Sequence, residues 1–168
     1  PEAIEIGPDD VACITFTSGS EGIPKAVRGR HGPLTHFQPT LSERFALSAD
    51  DRFSMLSGLA HDPLQRDVFT PLLCGAAICV PDPADLDPRR LARWAARAGV
   101  TVMCLTPAMA KILAGDPESP RLDRLRLVFS VGEALSRRDV RELRAIAPCA
   151  TVVNLYGTTE SQRAVAHF

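Results

Sequence analysis

The chain has 168 residues, of which 45% are hydrophobic, and a formal net charge of −1. That length suffices for one domain with a real core, and the balanced charge removes the bulk electrostatic case for a nucleic-acid partner. No apolar run is long enough for a membrane span and no secretory pattern opens the sequence, so a soluble, cytoplasmic protein is expected, with no membrane partner. The five cysteines, Cys13, Cys74, Cys79, Cys104 and Cys149, lie in apolar contexts without Cys-x-x-Cys spacing. Free core thiols are therefore expected, rather than metal ligands or disulfides.

The elements alternate along the chain. Residues 11–16, Val-Ala-Cys-Ile-Thr-Phe, predict a buried strand. A Gly/Ser loop and a short strand over 26–29 follow. Residues 31–47 predict a helix, with Pro33 in its first turn and Pro39 at a kink. Strands are expected at 51–57, 76–80, 100–105, 125–131 and 150–153. Helices are expected at 63–74, 89–98, 107–113 and 137–146. Asp62 can cap the helix that starts at Pro63 and Gly75 can stop it, while Gly99 can stop the helix at 89–98. Residues 81–88 and 116–120, rich in Pro and Asp, read as loops. Arg89, Arg90, Arg93 and Arg97 recur at helical spacing and predict a solvated face. Strands alternating with helices imply an α/β fold, a mostly parallel sheet with helices on its faces.

Three motifs carry chemistry. The first is Thr17-Ser18-Gly19-Ser20-Glu21-Gly22-Ile23-Pro24-Lys25, directly after the first strand. Small residues let backbone N–H groups approach an anion, hydroxyls add donors, and the lysine adds a point charge. This is a phosphate cradle, but not the loop of P-loop ATPases, since a proline precedes the lysine and extended chain follows. Of 19 basic residues only Lys25 and Lys111 are lysines, so a lysine closing a glycine loop stands out. Glu21 is electrostatically odd beside phosphates unless a magnesium ion or an arginine offsets it. The second motif, Val131-Gly132-Glu133-Ala134, follows a strand. The third, Asn154-Leu155-Tyr156-Gly157-Thr158-Thr159-Glu160, also follows one. An aromatic ring there can stack on a base, a threonine hydroxyl can bond a phosphate, and a carboxylate can hold Mg²⁺.

These three motifs, in this order, resemble the adenylate-forming superfamily: acyl-CoA ligases, luciferases and the adenylation domains of nonribosomal peptide synthetases. The resemblance covers essentially the whole chain. It implies that residues 1–168 form part of the large N-terminal core, without the mobile C-terminal lid. It also implies ATP and Mg²⁺ as cofactors. Thr17, Ser18, Gly19, Ser20, Glu21, Gly22 and Lys25 would hold the β- and γ-phosphates. Gly132, Glu133, Asn154, Tyr156, Gly157 and Thr158 would surround the adenosine. Thr159 would hold the α-phosphate and Glu160 the metal, with Lys25, His61, Thr159 and Glu160 acting in catalysis.

The segment His61-Asp62-Pro63-Leu64-Gln65-Arg66-Asp67 narrows the likeness. Together with Glu21 and the run from Tyr156 to Val165, it resembles the α-aminoadipate reductases. In those proteins an adenylation domain precedes a carrier domain and an NADPH-dependent reductase domain. The resemblance implies a substrate pocket formed by Asp62, Pro63, Arg66, Cys104, Phe129, Val131, Leu155 and Arg163. Asp62 would pair with the substrate's ammonium, and Arg66 and Arg163 with a second carboxylate. Cys104 and Leu155 depart from the histidine and methionine expected at those places. His61 would approach the reacting carboxylate, a structural role being the other reading. The implied partners are a small carboxylic or amino acid and a phosphopantetheine carrier domain, in cis or in trans, with NADPH used only if a reductase domain follows. An adenylation domain for another acid, an acyl-CoA ligase and a non-catalytic nucleotide-binding fragment remain open.

Overall fold

The computed structural model describes residues 4–17, 23–58, 63–161 and 164–167, the last four by their backbone alone. Its center is a six-stranded sheet of β3 (Arg52–Ser54), β4 (Ala77–Cys79), β5 (Val102–Leu105), β6 (Leu127–Val131), β7 (Thr151–Gly157) and β8 (Ala164–His167). The order is β4-β3-β5-β6-β7-β8. The first five strands are parallel, and β8 runs antiparallel to β7. Ahead of them β1 (Val11–Thr17) and β2 (Lys25–Arg30) form a separate antiparallel pair.

Helices cover both faces of the parallel sheet. On one face lie α1 (His31–Arg44) and α2 (Pro63–Cys74), over a core that includes Phe53, Val102, Cys104, Phe129 and Leu155. On the other lie α3 (Leu91–Ala98), α4 (Pro107–Ala114) and α5 (Arg137–Ile146), over Met103, Leu105 and Val128. Residues 102–105 are all buried, as a central parallel strand with both faces covered requires. In α3, Leu91, Ala92, Trp94 and Ala95 face the core while Arg93 and Arg97 face water, which fits the helical period. Arg89 and Arg90 are exposed as well, so the arginine row is the solvated face that its spacing predicts.

Local chemistry sets the element ends. Gly99 closes α3 with φ +63°, where a Cβ would stand 2.9 Å from the Arg124 guanidinium. Thr106 caps α4, its hydroxyl accepting from the Met109 N–H at 3.1 Å, with Pro107 in the first helical position. Ser136 and Asp139 form a reciprocal capping box at the start of α5.

At the N-terminal edge of the sheet, Asp51 ties three strands together. Its carboxylate accepts from Arg126 Nε at 2.8 Å, Arg126 Nη2 at 2.6 Å, Thr101 Oγ1 at 2.7 Å and the Ser48 N–H at 3.0 Å. Burial pushes this carboxyl up. The hydrogen bonds from Arg126, Thr101 and Ser48 and the arginine's charge more than cancel that, and hold it below the usual carboxylate range.

Several expectations are corrected. Residues 11–16 form a strand but not a buried one: among the described residues they pair only with β2, and Ile14 and Phe16 are 59% and 65% exposed. An apolar run marks β propensity, but not how many faces are covered. The first helix ends at Arg44, before Phe45. The strands after Asp51 and Gly75 are three residues each, at 52–54 and 77–79. The loop at 81–88 contains a 3-10 turn, Pro83–Leu86, and β8 was not foreseen. All five cysteines are free, yet only Cys79 and Cys104 are buried; Cys149 is exposed, because it precedes a strand start at the surface. Asp62, expected to cap α2, lies outside the described residues.

Candidate functional site

The connectivity locates the site before any side chain does. From β3 the chain crosses through α2 to β4 on one side, then returns through α3 to β5 on the other side of β3. The winding direction thus reverses between β3 and β5, and open α/β sheets bind ligands at the carboxyl ends of strands at such a point. A cleft of about 520 Å³ opens there. Leu56, Ser57 and Gly58 after β3, Leu105 and Thr106 at the end of β5, and Val131 at the end of β6 form its walls. Thr159 after β7, Pro63 and Arg66 of α2, Met109 of α4 and Phe16 and Thr17 of β1 complete it.

The cleft thus gathers Thr17, Pro63, Arg66, Cys104, Val131 and Thr159 from five separate stretches of chain. Thr17 stands opposite Lys25 in the β1–β2 pair, so the two bracket the phosphate-loop motif. Lys25 is exposed. Residues 18–22, His61, Asp62 and Arg163, all expected in the site, lie outside the described residues. Val131 pairs with Leu155, which sets Gly132 and Tyr156 side by side just beyond the last pair. Gly132 has φ +93°, a conformation glycine adopts without strain, and turns the chain away from β6. Glu133 and Tyr156 are exposed, and Asn154 is half-buried on β7 beside Ser130. Thr158 and Ser161 lock the following turn through three mutual hydrogen bonds, which presents Thr159 to the cleft and Glu160 to solvent. Gly157 ends β7. Phe129 and Leu155 do not line the described cleft: both are buried in the core beneath it, Phe129 edge-to-face with Phe45.

Arg66 is the charged group in the wall. Its side chain is 11% exposed, its Nε donates to Cys104 Sγ at 3.1 Å, and the same nitrogen lies 3.9 Å from Asp67 Oδ1. Burial pushes the Cys104 thiol up to about 12, despite the nearby Arg66 charge, so it is a neutral thiol. Asp67 is fully buried and accepts from the Ser57 Oγ at 2.7 Å and the Ser57 N–H at 3.3 Å. Burial raises its carboxyl, and the Arg66 charge and Ser57 bonds offset this only in part. Ser57, Thr106, Met109 and Asp67 were missed from the sequence. The Thr106-Pro107 pair carries a cap signal that could have flagged the first turn of α4. Asp67 closes the His61–Asp67 segment, but its sequence position gives it no role, because its partner Ser57 lies in a loop ten residues upstream.

A larger open cleft of about 920 Å³ lies between the start of α3 and the end of α4. It shares no residue with the site above, and there Arg93 pairs with Asp116 and Glu118 at the surface.

The doubly wound sheet thus opens its cleft at the switch point, with Thr17 of β1 in the wall. A family model described as AMP-binding enzyme matches residues 1–167, and the chain belongs to that family. It is 49% identical over 168 residues to the L-2-aminoadipate reductase large subunit of Penicillium chrysogenum. That match covers 100% of this chain and 12% of the relative, so the chain spans about one eighth of its length. Among solved structures it resembles the nonribosomal peptide synthetase FmoA3 with TM-score 0.89 and 33% identity, covering 100% of this chain and 18% of that one. It also resembles the Vibrio cholerae adenylation domain AlmE, solved with glycyl-adenosine-5'-phosphate. There the TM-score is 0.86 and the identity 31%, over 96% of this chain and 31% of that one. The fold is that of an adenylation-domain N-terminal core, mixed α/β with five parallel strands flanked by helices.

Proposed function

We propose that this chain forms part of an enzyme that joins a carboxylic acid to AMP, and that the acid is L-2-aminoadipate or a similar dicarboxylic amino acid. The observation that carries the reading is Arg66, a nearly buried guanidinium in the wall of the same cleft that Thr159 and Thr17 enter. This guanidinium is ion-paired with Asp67 at 3.9 Å and also stands in the cleft wall, so it can take an anion from a ligand as well. An acid with a second carboxylate supplies one, and bidentate pairing with a planar guanidinium makes it selective.

In this reading Thr17, the loop at 18–22 and Lys25 hold the β- and γ-phosphates of ATP. Tyr156, Gly132 and Glu133 flank the adenine, and Thr159 bonds the α-phosphate. Asp62 pairs with the substrate's ammonium, and Arg66 with its distal carboxylate, aided by Arg163. A carboxylate oxygen of the acid attacks the α-phosphorus as the bond to pyrophosphate breaks, and pyrophosphate leaves with the electron pair. No proton need move, so the protein's part is positioning and charge neutralization. Glu160, an exposed carboxylate next to Thr159, suits Mg²⁺, which takes one or two carboxylates together with phosphates and water. Bound there, the ion would neutralize phosphate charge. The thiol of a phosphopantetheine on a carrier domain would then attack the acyl carbonyl, forming a thioester as AMP leaves and the thiol proton is released.

Likeness to the aminoadipate reductase and to an adenylation domain that holds an aminoacyl-adenylate supports the class. Cys104, a small neutral thiol, favors a second reading in which the acid differs in length or distal group. ATP–pyrophosphate exchange in the protein that carries this chain tests both. L-2-aminoadipate should be preferred over glutamate, adipate, lysine and a fatty acid. Exchange with another acid would retain the class and reassign the pocket, and none with any acid would refute the enzyme reading.

A further inference from the structure

Asp67 is fully buried, carries none of the roles above, and stands between two walls of the cleft. Through Oδ2 it takes both the N–H and the hydroxyl of Ser57, a cleft residue in the loop leaving β3. Its Oδ1 makes no hydrogen bond among the described residues and lies 3.9 Å from Arg66 Nε, the nitrogen that donates to Cys104. A fully buried carboxylate is expensive unless it is well paired, and the groups that offset the cost here, Ser57, the Arg66 charge and the Cys104 thiol, all belong to the cleft. We propose that Asp67 is a positioning residue that fixes Ser57 and the plane of the Arg66 guanidinium, and so presets one end of the cleft for a substrate's second carboxylate. A fixed plane is what bidentate recognition requires. The substrate half of this inference rests on the acid-pocket reading; the locking of Arg66 does not.

Two readouts separate those halves. The first is alkylation of Cys104 by iodoacetamide, followed by peptide mass spectrometry, with buried Cys79 as the control for general opening and exposed Cys149 as the reference. In Asp67→Asn, Cys104 labeling should rise about fivefold with Cys79 unchanged, the signature of local release. Removing a nearby negative charge also favors the thiolate directly, so the same change is made on an Arg66→Ala background. If Asp67 acts through Arg66, the rise shrinks there to the smaller part that the lost charge alone gives. An unchanged Cys104, a parallel rise at Cys79, or the same rise without Arg66 would each overturn the proposal. The second readout is exchange kinetics. In Asp67→Asn the KM for L-2-aminoadipate should rise about tenfold, while kcat, the KM for ATP and the KM for 2-aminohexanoate stay as in wild type. A uniform loss for both acids would overturn the positioning role. A wild-type protein that uses no dicarboxylic acid would sink the substrate reading, while Cys104 labeling still decides whether Asp67 holds Arg66.

Discussion

Two buried aspartates sit at opposite ends of the parallel sheet and live in contrasting surroundings. Asp51, at the N-terminal edge, takes four hydrogen bonds, two of them from one guanidinium, and its carboxyl is held below the ordinary range. Asp67, at the C-terminal edge, takes two from a single serine, and its carboxyl is raised. Each stands near an arginine, but only Asp51 hydrogen-bonds its own. One edge closes its polar network on itself. The other holds charge at a cleft, where a ligand can complete it.

Substitutions at the two edges should separate them. Glu160→Ala should lower turnover about a thousandfold without shifting the melting temperature, since Glu160 is exposed. An active variant would remove Glu160 from the site. Asp51→Ala should cost about 2 kcal/mol in urea unfolding, less than for a wholly buried pair because Arg126 is partly open to water. Arg66→Ala should raise the KM for L-2-aminoadipate about tenfold and leave that for ATP alone. Equal change in both would mean that Arg66 is structural.

The pH dependence has opposite signs at the two edges. A carboxyl held low in the folded protein adds stability above its ordinary value of about 4, lost as pH falls through the folded value. A raised one does the reverse, its penalty setting in as pH rises through the ordinary value toward the raised one. From about pH 3 to 7, the stability deficit of Asp51→Asn should therefore grow and that of Asp67→Asn should shrink. Parallel trends would erase the distinction. Ser136→Ala, at a residue that does not line the described cleft, should cost about 1 kcal/mol through loss of the α5 cap and leave exchange kinetics untouched.

Much of this was legible in the sequence. Apolar runs of four to six residues between amphipathic stretches announced a parallel α/β sheet, and the glycine stops at Gly75 and Gly99 hold, both with positive φ. Thr17, Arg66 and Thr159 could be named because short motifs carry their own chemistry. The separate β1–β2 pair was not legible, because alternation and β propensity say nothing about which sheet a strand joins. Phe129 and Leu155 were drawn to the cleft by their positions in strands that do end there, yet both side chains point into the core below. Asp67 escaped notice since its meaning lies in Ser57 and in a crossover that brings α2 against the end of β3. Long-range pairing of this kind leaves no periodic trace.

The central claim is that the switch-point cleft selects an acid through Arg66. The most direct test is ATP–pyrophosphate exchange with L-2-aminoadipate and with 2-aminohexanoate, in the wild-type protein that carries this chain and in Arg66→Ala. Wild type should clearly prefer the dicarboxylic acid, and that preference should largely vanish in the variant. A preference that survives the loss of Arg66, or a wild type that prefers the acid without a distal carboxylate, would contradict it.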